Sequence, residues 1–130
     1  MKYLCLGYHD EQAWGALPEG ERDALLEETF AYADLLRDSG HLIDEKALQG
    51  AATGTTLRFA GGTMSISDGP FAETKEQLGG FMLLEANDLN HAIQLTSQIP
   101  CMRTGGCLEI RPLNEDLAEK IAARTAAVER

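Results

Sequence analysis

Ser67-Asp68-Gly69-Pro70-Phe71-Ala72-Glu73-Thr74-Lys75-Glu76-Gln77-Leu78-Gly79-Gly80 is the stretch around which the rest of the chain is arranged. It joins two apolar strand candidates, Thr63 to Ile66 before it and Phe81 to Leu84 after it. Asp68-Gly69-Pro70 is turn chemistry: Asp can bond the backbone two residues on, Gly tolerates positive φ, and Pro fixes its own φ. Pro70 also pushes Gly69 out of the helical region. Thr74 and Gln77 have the spacing of a capping box, which predicts one helical turn over Thr74 to Leu78, ended by Gly79-Gly80. Short connections dominate compact domains, and a longer, structured one is often functional.

Upstream, Thr55 to Phe59 and Thr63 to Ile66 flank Ala60-Gly61-Gly62 and read as a hairpin. His41 to Leu48 holds a short strand, followed by a loop over Gln49 to Gly54. Glu21 to Ser39 carries the clearest periodicity. Arg22, Leu25, Leu26, Thr29, Tyr32, Ala33 and Leu36 recur at helical spacing, with Asp23, Glu27, Asp34 and Asp38 largely opposite. Gly40 supplies its stop. Lys2 to Tyr8 is a strand apolar on both alternating sets, and His9 to Pro18 a loop in which Trp14 is a packing anchor. Downstream, Phe81 to Ala86 is again apolar on both sets. Asn87 or Asp88 caps a second helix with Leu89, Ala92, Ile93 and Thr96 inward, closed by Pro100. Cys107 to Pro112 is the last strand, with Glu109 and Arg111 on one face. Asn114 caps a final helix to about Val128.

Two long helices cover one face of such a sheet, yet the strands are apolar on both. The uncovered face predicts a homodimer with sheets packed face to face. The fold class is α+β, an antiparallel sheet with two helices on one face and a C-terminal helix. Residues 1–113 form the domain and 114–130 a helical extension.

The chain has 130 residues, 44% of them hydrophobic, which fits one domain with a core. No run approaches the ~20 apolar residues of a membrane span, and the start lacks a signal-peptide pattern, so a soluble cytoplasmic protein is expected. The net charge is −10. His9 to Glu45 holds 11 acidic residues against Arg22 and Arg37 alone. Phosphate contacts dominate nucleic-acid affinity, so neither nucleic acid nor an anionic membrane is an expected partner. The acidic segment reads either as a solvated helix face or as a docking face for a basic protein. Cys5, Cys101 and Cys107 form no Cys-x-x-Cys, which argues against a disulfide framework and a zinc site. Cys5 and Cys107 are expected to be buried and Cys101 reachable. Scattered histidines give no metal site, and without a dinucleotide or phosphate-loop motif no cofactor is expected.

The candidate chemistry gathers around the opening stretch. Asp68 reads either as the cap of its own turn or as a general base in a cleft. Lys75 and Glu76 are surface charges or binders of a small acidic ligand. Arg103, before Gly105-Gly106, has the fork that clamps a carboxylate. His9 ends the first strand, where sites form. Glu109 and Arg111 suit a structural ion pair. A cleft enzyme predicts that Asp68, Lys75 and Arg103 are buried and converge.

Asp68-Gly69-Pro70-Phe71, Glu73, Lys75, Glu76 and Gly79-Gly80-Phe81 together resemble the DGPF branch of the YCII-related proteins. The resemblance runs from Met1 to about Leu113. It takes in Tyr3-Leu4-Cys5-Leu6-Gly7-Tyr8 and Arg103, Gly105, Gly106, Glu109, Arg111 and Pro112. It implies a ferredoxin-like fold that pairs as a dimeric α/β barrel. Some YCII-type relatives use a His on the first long helix with an Asp, and one known activity class is dehalogenation of a chlorinated muconolactone. Glu21 to Ser39 contains no His, so that dyad is absent here. DGPF-branch proteins are often encoded beside extracytoplasmic-function sigma factors, which implies a regulatory partnership as an alternative. A structural dimer module without catalysis is the third reading.

Overall fold

The computed structural model describes residues 1–129. Strand β1 (Lys2–His9) is followed by a short helix α1 (Glu11–Ala16), the long helix α2 (Glu19–Asp38) and strand β2 (Leu42–Ala47). A hairpin comes next, β3 (Thr55–Ala60) and β4 (Thr63–Asp68). Strand β5 (Gln77–Glu85), helix α3 (Leu89–Thr96), strand β6 (Cys107–Pro112) and helix α4 (Glu115–Glu129) complete the chain. The main sheet has the order β2-β5-β1-β6, with antiparallel neighbours throughout. With the β3–β4 ribbon set aside as an insertion, this is the ferredoxin-like arrangement.

Alternation along β1 assigns the two faces. Tyr3 and Cys5 are buried and pack with Ala33 and Leu36 of α2, Ala92 of α3, and Leu42, Leu84 and Ala86. Both helices therefore lie on this face. Tyr32 Oη donates to the Leu95 carbonyl at 2.5 Å, tying α2 to α3, and burial raises the pKa of that phenol. Leu4 pairs with Leu83 and Leu6 with Phe81 on the opposite face, which no layer of the described residues covers.

The seven residues of the α2 stripe are the ones on that helix that lose exposure, and all seven match the periodicity. Gly40 has φ 82°, and the chain turns there as His41 N–H bonds the Leu36 carbonyl at 2.8 Å. The ribbon turn has Gly61 and Gly62 both at positive φ, 59° and 79°, the hand that suits strand twist. Asn114 Oδ1 accepts from Leu117 N–H at 3.1 Å and caps α4.

Several elements differ from the expected ones. His9 to Pro18 holds α1, because Asp10 Oδ1 accepts from the N–H groups of Gln12 and Ala13 and nucleates a turn. Thr74 to Leu78 is not helical. Gln77 Nε2 donates to the carbonyls of Ala72 and Thr74, while Gln77 itself pairs with His9 as the first residue of β5. Long-range pairing displaces the local capping signal, and Gly79-Gly80 lie inside a strand. Cys107 is exposed, because Leu108 and Ile110 take the helix side of β6. Arg111 makes no ion pair with Glu109 among the described residues. In α3 the inward side is Ala92, Leu95 and Thr96, with Leu89 and Ile93 turned out.

Asp88 Oδ1 accepts from His91 N–H at 2.8 Å and is the cap of α3. Asp88→Ala should lower the unfolding free energy by about 1 kcal/mol, while Asn87→Ala changes it little. Urea titration of both variants checks the assignment, and equal losses would refute it.

Candidate functional site

The helix-side face is bare at the end of β1. Gly7 pairs with Gly80, and the register slips beyond it so that Tyr8 meets Leu78 and His9 meets Gln77. Gly79 is the extra residue. A Cβ on Gly79 would stand 2.2 Å from His9 Cε1 and 2.4 Å from Nδ1, so the imidazole occupies the space a side chain there would take. On the other side, a Cβ on Gly106 would meet the Tyr8 carbonyl at 2.8 Å. Glycines thus let the backbone close around His9 and leave the part of the sheet floor next to it, at Gly7, Gly79 and Gly80, without side chains.

Over that floor lies a cleft of about 450 Å³. Leu26, Thr29 and Phe30 of α2 form one wall, and Ile99, Cys101 and Met102 another. A second hollow of about 530 Å³ shares His9, Leu26, Ala47, Gly79 and Cys101 with it and reaches Trp14, which is half-buried. Polar groups are few. Thr29 Oγ1 is 2.9 Å from both the Leu25 carbonyl and Cys101 Sγ. One hydroxyl hydrogen serves only one of them at a time, so the thiol can donate back to the Thr29 oxygen. Cys5 sits in the floor, where burial pushes its thiol up to about 11 and makes it a hydrophobe.

The five residues singled out in the sequence occupy several places. His9 lines the helix-side cleft. Lys75 is 84% exposed, with its ammonium 3.9 Å from Asp10 Oδ2, beside the end of β1. Glu76 lines a different cavity of about 490 Å³, formed by Tyr8, Leu48 and Leu78 with Pro70 and Phe71 of the motif loop. It also stands by Cys107, whose pKa is raised by lost hydration and then by the Glu76 and Glu109 carboxylates. Asp68 is exposed at the end of β4 and lines none of these cavities. Its side chain does not hold the turn. Gly69, at φ 97°, donates to the Gly54 carbonyl at 2.7 Å and accepts from Thr56 Oγ1 at 2.9 Å. Arg103 is 63% exposed and pairs with Glu28 on the outside of α2. Asp68, Lys75 and Arg103 therefore share no cavity. Among the described residues no three metal-ligating side chains gather.

The model of the YCII-related domain matches residues 1–116. The chain belongs to the YCII-related family. An uncharacterised protein of Rhizobium meliloti (strain 1021) is 32% identical over 114 residues, covering 87% of this chain and 92% of that protein. Among solved structures, 5-chloro-2-hydroxyhydroquinone dehydrochlorinase from Burkholderia phenoliruptrix AC1100, in complex with 2,5-dihydroxybenzoquinone, superposes with a TM-score of 0.56. The match covers 88% of this chain and 94% of that one at 15% identity, a likeness of fold. The YCII-related match ends two residues into α4, and the Asp68–Phe71 motif of this family member closes the base of the ribbon.

Cys101 and Thr29 are the cleft residues that reasoning along the sequence passes over. No His lies near Cys101 in the chain. The signal that could have found the cleft is the set of glycines at the ends of three adjacent strands, Gly7, Gly79-Gly80 and Gly106.

Proposed function

We propose that this YCII-related protein is a homodimer that binds a small oxygenated ring compound in the helix-side cleft, with His9 as the group that exchanges a proton with it. The observation that carries this reading is the His9 ring seated over Gly79 at the rim of a cleft of about 450 Å³. Ligand sites are typically apolar hollows of ~300–1,000 Å³ with a few placed polar groups. An imidazole fits acid–base work near neutral pH. Thr29 and Cys101 would orient the ligand, and Lys75 near the mouth would favour an anionic one. Dimerisation is supported by the uncovered apolar sheet face with Leu4, Leu6, Phe81 and Leu83.

The dehydrochlorinase of like fold supplies the probe, 2,5-dihydroxybenzoquinone. At a ligand concentration of 100 Kd, binding stabilises the folded state by about 2.7 kcal/mol. In a thermal-shift titration the wild type and Asp68→Ala should both respond, and His9→Gln should lose affinity by roughly tenfold or more, the loss of a hydrogen bond to a charged partner. A response that vanishes in Asp68→Ala and persists in His9→Gln would move the site to the motif loop and the cavity beside it, with Glu76 as the acid of that cavity.

A second reading has one observation in its favour. Glu19, Glu21, Asp23, Glu27, Asp34 and Asp38 are all exposed along α2. Such an acidic ridge complements a basic partner, for which an extracytoplasmic-function sigma factor is the candidate that family resemblance implies. Salt-sensitive co-purification, weakened by Asp23→Lys/Glu27→Lys, would support it.

A further inference from the structure

The cavity of about 490 Å³ beside the motif loop opens on the other side of the sheet from the helix-side cleft. Successive strand residues point to opposite faces, so Tyr8 turns away from the face that His9 lines. Tyr8 and Leu78, partners across β1 and β5, form the floor of this hollow, and Leu48, Pro70 and Phe71 form walls. Among the described residues, Glu76 is the one charged group in its lining.

The motif loop holds Glu76 in place without using its carboxylate. Thr74 Oγ1 donates to the Glu76 carbonyl at 2.5 Å, and Gln77 Nε2 donates to the carbonyls of Ala72 and Thr74 at 2.9 and 3.0 Å. The carboxylate itself has no ion pair among the described residues. The nearby cations are engaged elsewhere. Lys75 turns its ammonium to Asp10 at 3.9 Å, and Arg58 lies over the Phe71 ring, 5.5 Å from its centroid and outside the lining. Glu109 adds a second negative charge close by, since lost hydration and then both carboxylates raise the pKa of the Cys107 thiol.

We propose that this hollow binds a small organic cation, an amine with an apolar body and no carboxylate of its own. The lining selects each part. An ammonium pairs with Glu76, whose charge no group of the chain neutralises. Tyr8 supplies an aromatic ring, a surface that attracts cations. The apolar walls take the body of the ligand, and the volume lies within the roughly 300–1,000 Å³ of small-molecule sites. No Lys or Arg lines the hollow among the described residues, so the carboxylate of an amino acid or of an acidic ligand finds no partner there. The chain's charge of −10 also draws cations toward it. The inference stands apart from the ring-compound reading of the helix-side cleft, because the two sites lie on opposite faces and favour opposite charges.

Phenethylammonium, phenethyl alcohol and hydrocinnamate share a shape and differ in charge. Each would be titrated at neutral pH into isotope-labelled protein, with amide chemical shifts as the readout. The ammonium should move the amides of Ala51, Ala72 and Gln77. It should bind about tenfold or more tighter than the alcohol, the scale of a hydrogen bond to a charged group, and hydrocinnamate should bind weakest. Glu76→Gln should abolish the preference, so that ammonium and alcohol bind alike. Glu76 is exposed, and amide shifts away from the loop check that the fold is kept. Tyr8→Leu keeps an apolar floor and should weaken the ammonium about two- to fivefold more than the alcohol, the loss of a cation–π contact. Glu119→Gln removes the same unit of charge from α4 and should leave the preference in place, as should His9→Gln. An ammonium that binds no better than the alcohol would overturn the site, and so would a preference that survives Glu76→Gln. A preference that falls equally in Glu119→Gln would reduce it to attraction by net charge. Shifts confined to Leu26 and Thr29 would place the cation in the helix-side cleft and overturn the second site.

Discussion

Leu84→Ala is expected to lower the unfolding free energy by about 2–5 kcal/mol, the range for deleting a buried Leu side chain with partial collapse of the cavity. Leu84 is fully buried near the C-terminal end of β5, opposite Tyr3 of β1 on one side and Leu42 of β2 on the other. It packs with Cys5, Ala33, Leu36 and Leu42, so it touches both the sheet and α2. Leu84 and Cys5 are the largest fully buried side chains. A domain of this size holds a net stability of about 5–15 kcal/mol, so one substitution removes a large share. Leu117→Ala is the contrast. Leu117 lies on α4 and is 53% exposed, and surface substitutions change stability by about 0.5 kcal/mol or less. Urea titration at fixed protein concentration should show the midpoint falling for Leu84→Ala with the slope unchanged. Fixed concentration matters because association adds to the apparent stability of both variants. A loss under ~1 kcal/mol, at odds with the usual Leu→Ala range, would mean that Leu84 does not hold the two layers together.

The contrast between these two leucines also separates what the sequence makes legible from what it does not. The α2 stripe from Arg22 to Leu36 is readable because seven residues repeat one period, and no tertiary contact has to be known. The strands of the main sheet are readable for the same reason, with Tyr3 and Cys5 on one face and Leu4 and Leu6 on the other. Short elements fail. Helix α1 has six residues and no apolar stripe, so only the Asp10 cap announces it. The Thr74–Gln77 spacing carries a true local signal, yet pairing of Gln77 with His9 overrides it. The site was legible in part. The motif loop does border a cavity, through Pro70, Phe71 and Glu76. Asp68, Lys75 and Arg103 were grouped by chemistry alone, and the fold sets them on the ribbon, at the β1 end and on the outer side of α2. His9 and Cys101 are distant in the chain and share a cleft only because β1 runs beneath the turn that follows α3. Such a pairing has no sequence signature. The glycines did have one, but their reason is steric and needs the partner atoms.

Those partner atoms make Gly80→Ala the second large effect, expected to lower the unfolding free energy by about 1–3 kcal/mol, the range for overpacking a tight site. A Cβ on Gly80 would stand 2.6 Å from the Lys46 carbonyl oxygen and 3.3 Å from Ala47 Cα. Both are backbone atoms of β2, the strand that Gly80 pairs with, so the clash is relieved only by moving an edge strand. Neither Gly79 nor Gly80 has positive φ, so conformational strain is not involved. Ala in place of Gly would in fact regain ~0.5–1 kcal/mol of backbone entropy, and the steric term exceeds that gain. Gly79→Ala makes the informative partner. Its clash at 2.2 Å is with the His9 ring, a side chain that can rotate away. The entropy gain then offsets much of the strain, and stability should change by under about 1 kcal/mol. The displaced imidazole leaves the cleft, however, so Gly79→Ala should lose probe affinity as His9→Gln does. Gly80→Ala, measured well below its lowered melting temperature, should keep His9 in place and bind nearly as wild type. If Gly79→Ala binds the probe normally, His9 does not serve the ligand. If Gly80→Ala melts with the wild type, β2 is not held against β5 as closely as the 2.6 Å approach requires.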